Sequence, residues 1–229
     1  MTSIKYCVRE LGIGKSAAID WNNFMRDACL HDVGELADIK IGGPGHTVEV
    51  DESMFTKRKN HAGGVLPPQW VFGGICRATG EVFFECVEDR SAETLVNAIW
   101  NHILPGTTIH SDCWKGYSTK ELENTNYKHL TVRRPPPIIG IKCVFPQVNH
   151  SKKIVDPQTG CHTQTIERLW GAAKWRNKKH KGTRRTFLNS YFIEFIWRMK
   201  VKYHEPWRLR QPDTFDAILD TLRSQYPVH

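Results

Sequence analysis

The chain has 229 residues, 40% of them hydrophobic and 24% charged, with a formal net charge of +8. This balance suits a globular protein with one main core and a small appendage, and it excludes a wholly disordered chain. No apolar run reaches the ~18 residues of a membrane span, and MTSIKYCVRE does not read as a signal peptide, so a soluble intracellular protein without a membrane partner is expected.

Residues 1–30 read as helical. Ala17, Ala18, Trp21, Phe24, Met25 and Ala28 recur at helical spacing, and Gly12 and Gly14 mark a turn after a short amphipathic piece containing Tyr6, Val8 and Leu11. Helix, glycine turn and helix is the layout of a helix-turn-helix, so residues 1–40 are read as a partial DNA-binding segment of that kind, lacking the helix on which such units rest. GIGKS is not a phosphate loop, because Arg9 stands where that motif needs its first glycine. Residues 41–46, within IGGPGHT, read as a linker.

Three strand-like runs follow, at Thr47–Phe55, Trp70–Arg77 and Glu81–Val87, with RATGE as the turn between the second and third. DRSAETLVNAIWNHI is a helix capped by Ser91, with Leu95, Ile99 and Ile103 on one face. TTIHSD and YKHLTV are the fourth and fifth strands, with a short helix in WKGYSTKELEN between them. Helices over 186–202 and 215–226 close the chain, the latter in a tail from 206 to 229. The expected fold class is α/β, a mixed sheet flanked by helices. The segment VRRPPPIIGIKCVFPQ, residues 132–147, fits neither a strand nor a flexible linker.

Seven dispersed cysteines without a CxxC pair fit reduced thiols rather than a disulfide framework or a zinc knuckle. Basic charge is concentrated in KWRNKKHKGTRR, where Lys174, Arg176, Lys178, Lys179, Lys181, Arg184 and Arg185 occur without an acid. Such a block attracts polyanions by counterion release, although a solvated helix end would have the same composition.

Three acids stand out by position. Asp51 lies in the first strand, among Glu49 and Glu52, and the period of two sends Glu52 to the opposite face. Asp112 ends the fourth strand, where an α/β sheet opens onto a crevice. Glu167 lies on the helix of HTQTIERLWGAAK, at the edge of a buried stripe of Ile166, Leu169, Trp170 and Ala173, with Lys174 sharing its face. Clustered carboxylates repel unless a cation neutralises them, and a pair of Mg²⁺ or Mn²⁺ ions is the hard-cation solution. The plainer reading makes Asp51, Glu49 and Glu52 rim charges, Asp112 a helix cap, and Glu167 a partner of Lys174 or Arg168.

In order along the chain, GGPGHTVEVDESMFTKRK, QWVFGGICRATGEVFFECVEDRSAETL, ILPGTTIHSDCWKGY, VDPQTGCHTQTIERLWGAAK and LNSYFIEFIWRMK resemble the catalytic domain of DDE transposases, in particular the Merlin superfamily of eukaryotic DNA transposons and its bacterial insertion-sequence relatives. The resemblance covers residues 8–202. It implies a ribonuclease H-like catalytic domain over 47–205, with Asp51, Asp112 and Glu167 holding two divalent ions. Lys174 matches the lysine after the family's glutamate, and His150, in VNHS, is a candidate phosphate contact. The implied partner is double-stranded DNA, as element ends and target, with a homodimer by analogy and a nuclear location in a eukaryote or a cytoplasmic one otherwise. Two alternatives are a transposon-derived DNA-binding protein that no longer cuts and a simple ribonuclease H-like nuclease. Residues 132–147 depart from the family pattern and read as a retained intron or a lineage-specific loop. Trp170 and Trp197 are read as core, Trp114 as open, His110 as packed or solvent-facing, and Cys113 as a buried thiol.

Overall fold

The computed structural model describes residues 4–55, 69–111, 128–131, 161–179, 185–203 and 214–227. Contacts divide the chain into a sheet unit, residues 40–78 and 82–182, and a helical unit, residues 1–39, 79–81 and 183–229. The helix over 185–203 falls in the helical unit with the terminal helices.

The strands are β1 (Ile41–Gly42), β2 (Thr47–Met54), β3 (Trp70–Cys76), β4 (Val82–Val87), β5 (Ile103–Leu104), β6 (Thr108–Ser111) and β7 (Lys128–Thr131). Five of them form one sheet in the order β4-β3-β2-β6-β7, with β2, β3 and β4 antiparallel and β2, β6 and β7 parallel. A three-stranded meander whose first strand lies centrally, extended on its free side by two parallel strands, is the ribonuclease H-like arrangement. β3 is buried at every position after Trp70, as its near-continuous apolar run WVFGGIC requires of an interior strand.

The first β-pair also shows why the expected linker is not featureless. Ile41 and Gly42 pair in parallel with Ile103 and Leu104. The Thr107 hydroxyl closes the corner, accepting the Gly43 amide at 2.7 Å and donating to the Leu104 carbonyl at 2.5 Å. Gly42 has φ 91°, and a Cβ there would stand 2.6 Å from that hydroxyl, so neither the backbone nor the space admits a side chain.

Helix α3 (Ala92–His102) begins at Ser91, whose hydroxyl accepts the Thr94 amide at 3.3 Å, as the cap in the sequence predicts. Helix α4 (Gln164–Lys179) covers the other side of the sheet. Cross-strand partners share a face. The register therefore puts Val48, Val50, Glu52, Phe72, Phe83 and Glu85 on one side, and Glu49, Asp51, Ile75, Gly73 and Phe84 on the other. α3 lies on the first side, where His102 stacks on Phe83 at 4.6 Å and its Nε2 stands 3.1 Å from Glu85 Oε2. α4 lies on the second.

In the helical unit, α1 (Ile4–Glu10) and α2 (Lys15–Val33) are joined by a tight turn in which the Ile13 amide donates to the Cys7 carbonyl at 3.1 Å. With α5 (Arg185–Tyr203) and α6 (Thr214–Gln225) they enclose a core of Ala28, Cys29, Ile193, Trp197, Val201, Ala217 and Ile218. The buried side of α2 is narrower than its apolar spacing predicts. Ala18 and Ala28 are buried, but Ala17 and Trp21 are exposed, and Trp21 meets Phe24 edge-on at 5.8 Å. Burial, and next to it the Glu194 carboxylate, push the Cys29 thiol up to about 12, which makes it a packing group and not a nucleophile. Among the described residues, no helix is long and apolar enough to cross a membrane.

Candidate active site

Alternation along β2 places Glu49 and Asp51 on one face, two residues apart, while Glu52 points the other way and pairs with Arg90 at 3.6 Å. This is the separation between Asp51 and Glu52 that the period of two predicts. What covers Asp51 is α4, whose apolar stripe of Ile166, Leu169 and Trp170 is buried. Burying each such side chain contributes about 1.5–3 kcal/mol, so the stripe alone is enough to seat the helix on the sheet.

The Trp170 indole lies over Gly73, the cross-strand partner of Asp51. A Cβ at Gly73 would stand 2.8 Å from the indole ring, so the glycine makes the space the ring occupies. Phe84 and Phe55 flank it, with ring centroids at 5.3 and 5.9 Å. Held there, the indole N–H donates to Asp51 Oδ2 at 3.0 Å. Trp170 is core, as its spacing predicts, and it also gives Asp51 a fixed hydrogen-bond donor.

Glu49 is wholly buried, and its surroundings answer the cost of a carboxylate in the core. Arg77 Nε donates to Oε1 at 2.6 Å, with His162 Nδ1 3.4 Å from the same oxygen. The amides of Thr165 and Ile166, in the first turn of α4, donate to Oε2 at 2.8 and 3.0 Å. Those amides are among the four that a helix leaves without internal partners at its start, and the positive end of the helix favours the negative charge. Glu49 is therefore not a rim charge, and its cation is a guanidinium. His110, its cross-strand partner on β6, is pushed down to about 4 by burial and then by the Arg77 charge, so it is neutral at pH 7.

The anchors define how α4 runs. Ile166 meets Glu49, Trp170 meets Asp51, and Asn177 Nδ2 donates to the Phe55 carbonyl at 2.8 Å. The rise from 166 to 170 is about 6 Å and that from 49 to 51 about 6.6 Å, so helix and strand advance together over this stretch. Glu167 lies between the first two anchors. It is exposed rather than tucked at the stripe's edge, because its position turns outward from Ile166 by about 100°. Lys174 is half-buried with Nζ 5.5 Å from the Phe55 ring centre, and Lys178 is exposed. Arg185, in the helical unit, is exposed at the start of α5. Arg176 and Lys179 lie within α4, but their side chains are outside the described set. Asp112, His150, Lys181 and Arg184 lie outside the described residues, as do Cys113, Trp114 and the segment 132–147.

The structure thus brings together β2 at Asp51 and the first turns of α4 around Glu167. Among the described residues, no group of three His, Cys, Asp or Glu stands ready to hold a metal; the third acid of the expected set, Asp112, directly follows the last described residue of β6. Three contributors escaped the sequence reading. Glu49 was visible as sharing Asp51's face, but its partners Arg77, Thr165 and Ile166 are remote in the chain. The polar role of Trp170 and the room left by Gly73 carry no local signal beyond the GG pair in WVFGGIC.

The chain matches no family model and no curated protein. Several solved retroviral integrases are similar to it. The catalytic core of HTLV-2 integrase, solved with magnesium, is 16% identical with a TM-score of 0.29, covering 39% of this chain and 61% of that one. The simian T-cell lymphotropic virus intasome is 14% identical with a TM-score of 0.37, covering 83% and 59% respectively. The catalytic core of BIV integrase is 13% identical with a TM-score of 0.40, covering 79% and 98%. The chain thus spans less than two thirds of the HTLV-2 core in its dimeric form and of the intasome chain. The ribonuclease H-like assignment rests on the strand order and pairing given above.

Proposed function

We propose that this chain is a DNA transposase of the DDE type, which hydrolyses a phosphodiester at an element's end and joins the freed 3′-hydroxyl to target DNA. The observation that carries this reading is the 3.0 Å bond from Trp170 to Asp51, because it ties the first strand of a ribonuclease H-like sheet to the helix bearing Glu167, 119 residues from Asp51 at the point of contact. The sequence resemblance supplies the same two acids and adds Asp112, which follows a strand paired to β2.

The donor set suits Mg²⁺ or Mn²⁺: carboxylate oxygens are the ligands hard divalent ions take, and exposure of Glu167 leaves it accessible to solvent and substrate. Asp51, Asp112 and Glu167 would hold two ions, whose contribution is to activate the attacking oxygen and stabilise the leaving one. Glu49 is excluded from that set, since Arg77 and two helix amides already engage both of its oxygens. The Asp51 carboxylate is held in one orientation by the indole N–H, and Lys174 and Lys178 extend basic charge along the same helix towards the phosphates. The remaining basic residues to Arg185 would hold the backbone without reading its sequence. Two copies acting on paired ends, in a nucleus if the host is eukaryotic, complete the reading.

Nicking of supercoiled plasmid in Mn²⁺ tests it. Asp51→Asn should lower the rate by about a hundredfold or more, the scale expected when a metal-binding oxygen is lost, and should leave the melting temperature nearly unchanged. Full nicking in that variant would remove Asp51 from the site. DNA affinity indifferent to EDTA, with no nicking in any divalent ion, would instead identify a binding protein that no longer cuts.

A further inference from the structure

Glu49 does more than satisfy its own burial. Four contacts stitch residues 162–166 to β2 and β3 through its carboxylate and Arg77: the amides of Thr165 and Ile166 on Oε2, Arg77 Nε on Oε1, and Arg77 Nη2 donating to the His162 carbonyl at 2.8 Å. His162 Nδ1 adds a fifth approach, at 3.4 Å. Arg77 is itself held at the end of β3, its amide donating to the Thr47 carbonyl at 2.9 Å.

The position of this cluster matters more than its strength. The hydrogen bonds of Trp170 to Asp51 on β2 and of Asn177 to Phe55, just beyond the strand, both lie on the C-terminal side of Glu167. Glu49 is the tie on the N-terminal side, two residues from Glu167 at Thr165 and two residues from Asp51 along the strand. Without it the first turn of α4, with Glu167 inside it, keeps the apolar contact of Ile166 but loses the partner of two of its amides and the directional tie that fixes its register on the strand. An ion pair with a buried carboxylate is a poor way to gain stability, since apolar residues of equal volume often do as well or better, and its best-attested use is to fix one register.

We infer that Glu49 is a positioning residue: its buried carboxylate, neutralised by Arg77, fixes the first turn of α4 against β2 and so sets the spacing between Asp51 and Glu167 that divalent ions require. This inference rests on the metal-dependent reading given above. The residue touches neither DNA nor metal; it acts through the backbone of Thr165 and Ile166.

The test is Mn²⁺ binding to the full chain, followed by electron paramagnetic resonance of the free ion, with melting temperature measured on the same samples. The variants are Glu49→Gln, Asp51→Asn and the charge-neutral pair Glu49→Gln with Arg77→Met, which leaves no guanidinium unpaired and keeps the protein folded if the single variant does not. The expected result is an Mn²⁺ midpoint raised about tenfold or more in the neutral pair, the loss typical of removing a group that orients a metal site from outside. Nicking in that variant should recover towards the unaltered rate as Mn²⁺ is raised, whereas Asp51→Asn should not recover at any concentration. A folded neutral pair whose Mn²⁺ midpoint coincides with that of the unaltered chain, beside a loss of binding in Asp51→Asn, overturns the positioning role and leaves the metal reading standing. Equal Mn²⁺ binding by the unaltered chain and Asp51→Asn overturns the metal reading, and the positioning role falls with it.

Discussion

The two faces of the central sheet are built from the same strands yet by different means. Under α3, Val48, Val50, Phe72 and Phe83 are fully buried, and the helix begins with an ordinary Ser91 cap. Under α4, the same strand presents Glu49 and Asp51, and the amides at the start of the helix are met by a carboxylate more than a hundred residues away in the chain. The α3 face is held mainly by apolar burial, which is non-directional and tolerates small shifts, with His102–Glu85 and Arg90–Glu52 as its polar pairs. The α4 face has an apolar stripe as well, and adds directional hydrogen bonds from the helix start to a strand carboxylate, which tolerate very little. A fold that needed only to be stable would make both sides like the first. On the proposed function, the polar side is where Asp51 and Glu167 would have to keep a fixed relation.

The sharpest way to break this comparison is to truncate one residue on each face of β2. Glu49→Ala strips both α4 amides and the Arg77 guanidinium of their partner, and removing one member of a buried pair costs about 3–5 kcal/mol. Val50→Ala, its neighbour on the α3 face, should cost about 2 kcal/mol, the value of the methyl groups plus the space they leave. Urea denaturation of the two variants checks the order. Equal costs would mean the Glu49 cluster contributes no more than ordinary packing.

Next in size come the adjacent glycines of β3. A Cβ at Gly73 would stand 2.8 Å from the Trp170 ring, and one at Gly74 would stand 2.4 Å from the Phe83 ring on the other side. Gly73→Ala and Gly74→Ala should each destabilise by about 1–3 kcal/mol, because both force an aromatic ring out of place. Their effects on DNA nicking should separate: Gly73→Ala displaces the indole from Asp51 and should slow the reaction well beyond its cost in stability, while Gly74→Ala should not. Nicking rates measured below both melting transitions decide it, and equal slowing in the two would detach Trp170 from the site.

Much of this sheet could be read from the residues alone, and the reason is local. The strands at 47–54, 70–76 and 82–87, the Ser91 cap and the split between Asp51 and Glu52 all follow from periods of two and 3.6 and from cap chemistry. What could not be read is which buried faces meet. The apolar face of 185–203 announces a packed helix, but nothing in its spacing says that its partners are α2 and α6. Glu49 shows the same limit at the site. Period two assigns it to Asp51's face, whereas its role depends on Arg77, 28 residues on, and on amides 116 and 117 residues on. Backbone amides leave no mark in a sequence, so a carboxylate that caps a distant helix looks the same as one on a rim.

The smallest change is at the indole. Trp170→Phe keeps an aromatic ring beside Phe55 and Phe84 but deletes the indole N–H that reaches Asp51 Oδ2, along with the outer ring atoms that lie over Gly73. Loss of one hydrogen bond to a charged acceptor costs about 1.5–3 kcal/mol if the acceptor cannot rehydrate, and less at Asp51, which is only half-buried and can take up water in place of the indole. With the space left by the smaller ring added, stability should therefore fall by about 1–2 kcal/mol. On the proposed reading, the rate of nicking at saturating Mn²⁺ should fall by about tenfold, since the carboxylate loses the indole donor that helps orient it. Asp51→Asn combined with Trp170→Phe should be no slower than Asp51→Asn alone, because the indole acts only through that carboxylate. Additive losses in the double variant would show that Trp170 serves the reaction by another route, through Phe55 and the Lys174 ammonium that lies over it.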